Sequence, residues 1–150
     1  MKRNYFSMAL ILLAVIFTSC SKEKQISKNL VSQSGRWNID NYKIAVTTQL
    51  GSVTLPPIIT EYSDVGYMNF FDNNDGQIFY IYDVGDYDYI EFEWTPEPDG
   101  VIIEYNNEEF DFIFTTNEKD RIVMSYSVTV PLSDTSYTTT ENEYELLRIE

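Results

Sequence analysis

The chain contains no histidine and a single cysteine, Cys20. The first absence removes the commonest general acid–base side chain. The second leaves no intramolecular disulfide and at most one thiol nucleophile. Basic residues are scarce too: 10 Lys and Arg stand against 24 Asp and Glu, for a net charge of −14. No Lys or Arg lies between Lys43 and Lys119, whereas 16 acids fall from Glu61 to Glu118. Such a surface repels nucleic acid and anionic headgroups, and so excludes a nucleic-acid-binding role. It suits an exported protein kept soluble by its charge, and it would tolerate divalent cations or a basic partner. No helical period of useful length and no repeat follow residue 20.

Carboxylates are plentiful but are not arranged for chemistry. Glu91/Glu93 and Glu141/Glu143/Glu145 recur at i, i+2, which places each set on the outward face of a strand. A glycosidase needs two carboxylates about 5–10 Å apart across a cleft, and no pattern singles out such a pair. The stretch DNNDGQIF fails as an EF-hand. With Gly76 at loop position six, Phe71 and Tyr82 fall where carboxylates are required. A hairpin turn explains it. No enzyme activity, cofactor or metal is expected.

What is present begins with a leader. Met1 to Asn4 is short and positive, and Tyr5 to Phe17 is apolar apart from Ser7. That run is too short to span a bilayer and matches the h-region of a secretory signal. It ends in Phe17-Thr18-Ser19-Cys20, which resembles the lipobox of bacterial lipoproteins, with Phe17 where Leu, Val or Ile is usual. The resemblance implies a signal peptide over residues 1–19, acyl chains on Cys20, a membrane as partner, and a place in the bacterial cell envelope, at the outer membrane. Several chains at roughly 0.8 kcal/mol per buried CH₂ make such anchoring stable. Without Lys2 and Arg3, eight basic residues remain. Residues 20–33 are then the lipidated cysteine and a polar, flexible tether. About 14 extended residues reach roughly 45 Å.

Residues 34–150 form the domain. Tyr, Phe, Val, Ile and Thr dominate, with turn residues every 8–15 positions. RWNIDNYKIAVTTQL reads as a long first strand bent near Asn41, and GSVTLPPIITEYSDV as a Pro-Pro connection. Seven more strands follow: GYMNFF, QIFYIYD, YDYIEFEWT, VIIEY, FDFIFTT, RIVMSYSVTV and TTENEYELLRI. Alternation with Glu91 and Glu93 turns Ile90, Phe92 and Trp94 inward. Even loops at Pro98-Asp99-Gly100 and Asn106-Asn107 extend that face to Val101, Ile103, Tyr105, Phe110 and Phe112. An even loop at Asp75-Gly76 joins Met68 and Phe70 to Phe79 and Ile81. A three-residue loop, Glu118-Lys119-Asp120, sets Ile122, Met124 and Tyr126 inward, and Tyr144 and Leu146 complete the set. Eight strands sharing one inner face predict an all-β, eight-stranded antiparallel up-and-down barrel, since closure removes the unpaired edges. A two-sheet sandwich is the alternative.

Gly35-x-Trp37 opening the first strand and Arg148 near the end of the last resemble the lipocalin pattern. There a tryptophan at the closed end of the barrel is covered by an arginine from the final strand. The whole layout resembles the small lipocalin-like lipoproteins of Bacteroidota-type Gram-negative bacteria. The central Thr-Asp-Tyr turn and the C-terminal helix of lipocalins are absent. A Trp37–Arg148 pair at the barrel base is therefore expected, worth roughly 0.5–2 kcal/mol.

Two functions follow. In one, Phe70, Phe79, Phe92, Trp94, Phe112 and Tyr126 line a cavity for a small hydrophobic ligand. In the other, rings fill the barrel and an acidic outer surface bearing Tyr80, Tyr82, Tyr87 and Tyr89 engages an envelope protein partner, as an accessory subunit. The leader has its own test. Cells fed an alkyne fatty acid will label the parent chain and not Cys20→Ser; equal labelling of both would remove the anchor.

Overall fold

The computed structural model describes residues 22–83 and 86–149, without the side chains of Tyr82 and Asp83. Cys20 and the leader lie outside the described residues. Among the described residues there are nine strands: β1 (Arg36–Leu50), β2 (Val53–Thr54), β3 (Ile58–Phe70), β4 (Asp75–Asp83), β5 (Asp86–Glu97), β6 (Gly100–Tyr105), β7 (Glu108–Asn117), β8 (Arg121–Ser133) and β9 (Ser136–Arg148). Leaving out β2, each pairs antiparallel with its sequence neighbour, and β9 closes onto β1. The fold is an eight-stranded up-and-down barrel. The two-residue β2 is an appendage on the far end of β1.

Its interior follows from alternation. Ile90 is half-buried and Phe92 and Trp94 are buried while the glutamates between them face out; Val101, Ile103, Phe112, Ile122, Met124, Tyr144 and Leu146 are buried as expected. Fully burying a phenylalanine-sized side chain contributes roughly 1.5–3 kcal/mol. Trp37, Phe70 and Trp94 are each 2% exposed or less, so the lower barrel is packed with side chains and is not hollow.

Four local expectations fail, each for a physical reason. Residues 22–31 form an α-helix (α1), not a flexible tether. Ile26 and Leu30, one turn apart, give it a buried stripe of 4% and 0% exposure against the barrel. Such a short helix gains its stability from that docking rather than from its polar composition. Second, β3 begins at Ile58, directly after Pro57, so only residues 55–57 interrupt the pairing with β1 that β2 and β3 both make.

Third, the β3–β4 turn is odd. Met68 pairs with Ile78 and Phe70 with Gly76, while the Phe71 amide donates to Asp75 O at 2.9 Å. That leaves a three-residue loop, Asp72-Asn73-Asn74, with Asn74 left-handed at φ 70°. Asn74, rather than the Asp75-Gly76 pair, takes the special conformation, and the β4 side chains from Ile78 to Ile81 change face. Ile78 and Tyr80 point in; Phe79 and Ile81 point out. Fourth, at β7–β8 the extra residue is an irregularity between Phe114 and Thr116, and the turn itself is even, closed by Glu118 N to Arg121 O at 2.9 Å.

The opening glycine has a steric cause. Gly35 sits at φ +67°, and a Cβ there would lie 1.9 Å from the carbonyl oxygen of Phe70. Only glycine permits the chain to cross so close beneath β3 and deliver Trp37 to the axis.

Candidate functional site

At the base, the guanidinium of Arg148 lies 3.9 Å over the Trp37 ring. Its side chain is 1% exposed. The Nε donates to Lys119 O at 2.7 Å, Nη1 to Ser32 O at 2.6 Å, and Nη2 to Asn29 O at 2.8 Å and Asn29 Oδ1 at 3.1 Å. The Trp37 indole donates to Leu30 O at 3.0 Å. Two carbonyls at the C-terminal end of α1, those of Asn29 and Leu30, are thus met by Arg148 and the Trp37 indole, and the Ser32 hydroxyl also donates to Asn29 O at 2.9 Å. Burial lowers the Arg148 pKa, and nearby Asp120 partly opposes that. This end is sealed.

The other end is not. A cavity of about 110 Å³ opens at the mouth. β4 contributes Ile78 and Tyr80 to its wall, β5 Ile90 and Phe92, and β6 Ile103 and Tyr105. Phe110 and Phe112 of β7, Tyr126 of β8 and Tyr144 of β9 complete it. Alternate positions on six successive strands therefore face one space. Phe92 can lie across the wall because Gly76 opposite has no side chain; a Cβ there would meet the Phe92 ring at 2.2 Å.

The six expected lining residues separate by depth. Phe92, Phe112 and Tyr126 line the cavity. Phe70 and Trp94 lie in the packed lower barrel, edge-to-face at 5.6 Å, with the Trp94 indole donating to Asp75 O at 2.9 Å. Phe79 is outside. Its ring stacks on Tyr67 at 4.9 Å and on Tyr87 at 4.8 Å, while Arg36 sits 4.0 Å over Tyr67. Of the tyrosines expected outside, Tyr87 and Tyr89 are exposed, but Tyr80 is inside. The stacked rings turn their faces to one another, which is ordinary cross-strand support.

Polar chemistry in the mouth is phenolic. Tyr80 and Tyr144 hydroxyls are 2.9 Å apart, Tyr42 donates to Asn142 Oδ1 at 2.8 Å, and the Tyr42 and Tyr144 rings stack at 4.5 Å. Burial drives the Tyr144 phenol far above its ordinary value of 10.0, and neighbouring Tyr80 and Tyr42 add to this. Burial also raises Tyr42 and Tyr126. These groups stay neutral where phenols in the unfolded chain ionise. Outside, a groove of about 720 Å³ across β4–β6 gathers Glu91, Glu93 and Glu104. It belongs to a straight row, Asp75, Glu93, Glu104 and Glu109, in directly paired positions on β4 to β7. Like charges so placed weaken the sheet.

No family model matches this chain, and neither does any curated protein. A solved structure titled for apocrustacyanin C1 is similar to it at 10% identity and a TM-score of 0.41, over 85% of this chain and 68% of that one. The barrel itself rests on the strand pairings above.

The phenols set a pH dependence. With folded pKa values raised, the unfolded chain loses phenolic protons first as pH climbs past about 10, so stability present below that value falls above it. For Tyr144 the slope approaches roughly 1.4 kcal/mol per pH unit. Urea unfolding between pH 8 and 11 should show this decline, and Tyr144→Phe should flatten it. An unchanged slope in that variant would show that Tyr144 is not responsible.

Proposed function

We propose that this chain is an envelope-anchored lipoprotein whose lipocalin-like barrel is a non-enzymatic binding module for a small, uncharged hydrophobic group. The observation that carries this reading is the mouth cavity, lined by aromatic and aliphatic side chains from six strands. Drug-sized ligands occupy pockets of roughly 300–1,000 Å³, whereas an apolar cavity of roughly 150 Å³ holds benzene. A cavity of about 110 Å³ fits one ring or a branched tip of a larger molecule. Among the described residues no lysine, arginine or carboxylate lines it, so a charged group would enter unpaired. The Tyr80–Tyr144 hydroxyl pair offers a single polar contact inside an apolar wall.

Docking of α1 supports an orientation. Asn29 bonds Asn117 and the Glu118 carbonyl at the base, and Lys22 reaches Asp99 in the β5–β6 turn at 3.3 Å. Cys20 lies two residues before Lys22, so a lipid there enters from the sealed end. The membrane then sits beneath the base and the mouth faces away from it.

The depth of each aromatic supplies the test. An uncharged fluorescent arylamine, N-phenyl-1-naphthylamine, should bind the parent and lose about tenfold in affinity with Phe92→Ala, equivalent to about 1.4 kcal/mol. Trp94→Ala removes a packed ring below the cavity. It should cost about 3–5 kcal/mol of stability and leave the affinity of the folded protein unchanged. Equal losses of affinity in both variants, or none in Phe92→Ala, would dismiss the mouth as the site.

A further inference from the structure

Four strands outlast the barrel. β4 pairs with β3 only from Gly66 to Phe70, and β7 reaches β8 only as far as Ser125. Irregularities lie between Ile39 and Asn41 of β1, opposite the stretch from Gly66 to Ser63 of β3. Beyond them β3, β1, β9 and β8 continue side by side as an arm above the rim, with Tyr62 paired to Tyr42, Val46 to Thr140 and Val128 to Thr140. Alternation from the inward Tyr42, Tyr126 and Tyr144 assigns Ile44, Val46, Ile58, Val128 and Val130 to the inner face, with Thr138 and Thr140 between them. That face is bare: Ile58 is 70% exposed and Val130 54%. The opposite face carries the charge, with Lys43 3.6 Å from Glu143.

The sequence marks this arm as distinct. Residues 44–60, 122–133 and 135–140 contain no charged side chain, in a chain with 24 acids. An apolar, charge-free face of this extent on a strongly acidic protein is an interaction surface. We infer that its occupant is a second copy of the chain, the two arms packing inner face to inner face. A basic or polar partner would be matched by the carboxylate row on β4 to β7, not by an uncharged face. Two copies of net charge −14 repel except where both are neutral, and the arm is neutral. A two-fold axis perpendicular to the barrel axis sets Val and Ile of one copy against those of the other at the usual sheet spacing of about 10 Å, mouth toward mouth, so that each barrel clears the other. The two α1 helices then lie at opposite ends of the pair.

The area sets the strength. Four strands about 4.8 Å apart and about six residues long give a face of roughly 20 by 20 Å. Two such faces, with side-chain relief, bury on the order of 1,000 Å², the lower end for specific interfaces. The dimer is therefore weak in dilute solution and favoured at high concentration.

Cysteine cross-linking of the full chain, concentrated in detergent solution, tests this. Thr140→Cys lies on the inner face of a central arm strand and Thr139→Cys on its outer face. With a short bis-maleimide, Thr140→Cys should give a band of twice the chain mass; Thr139→Cys and the parent, with Cys20 alone, should not. Adding Val130→Asp to Thr140→Cys should abolish the band while the chain keeps its resistance to protease. No dimer from Thr140→Cys, equal dimer from both faces, a dimer that survives Val130→Asp, or an adduct with a protein of another mass would each overturn the proposal.

Discussion

The contact on which the rest of this molecule depends is the Arg148 guanidinium pressed on the Trp37 indole. A buried cation is costly unless its donors are met, and here each nitrogen has a carbonyl or amide oxygen within 3.1 Å. Those oxygens come from the C-terminal end of α1 and the β7–β8 turn, while Arg148 and Trp37 are paired across the β9–β1 seam. One side chain thus ties the helix, a turn and the closing strand pair of the barrel together. A lysine could not do this, having neither a planar face nor a fork of donors.

Because the base is closed in this way, the barrel divides along its axis. Trp37, Phe70, Trp94 and Leu30 fill the lower part completely. Toward the mouth the fill loosens into a small ring-lined cavity, and beyond it the arm carries the inner face into solvent. Chain entry at the base and the proposed recognition at the mouth are opposite ends of one object. The mouth cavity and the uncharged arm lie on the same continuous inner surface.

The sequence showed most of this wherever charge and hydrophobicity alternate. β5 to β9 were legible because Glu91, Glu93, Asp111, Glu143 and Glu145 mark the outer face. β4 was not: QIFYIYD has a ring or aliphatic residue on both faces, so its register hung on the turn before it. An Asp-Gly pair drew the turn one step late, where Asn74 takes the left-handed position. Phe79 and Tyr80 exchanged sides as a result. The helix was hidden by its composition, although Ile26 and Leu30 at i, i+4 were the available signal. Trp94 had the correct face and the wrong depth, because alternation reports in or out and never height along the axis.

The most direct measurement is hydrogen exchange in the parent and in Arg148→Met, following the Trp37 indole N–H and the amides of residues 26–31. If the stacked arginine closes the base, both are protected in the parent to the level of the buried strands. In the variant they become fast-exchanging while β5 to β7 keep their protection. Protection of residues 26–31 that persists without the guanidinium, or is already absent in the parent, would contradict the account.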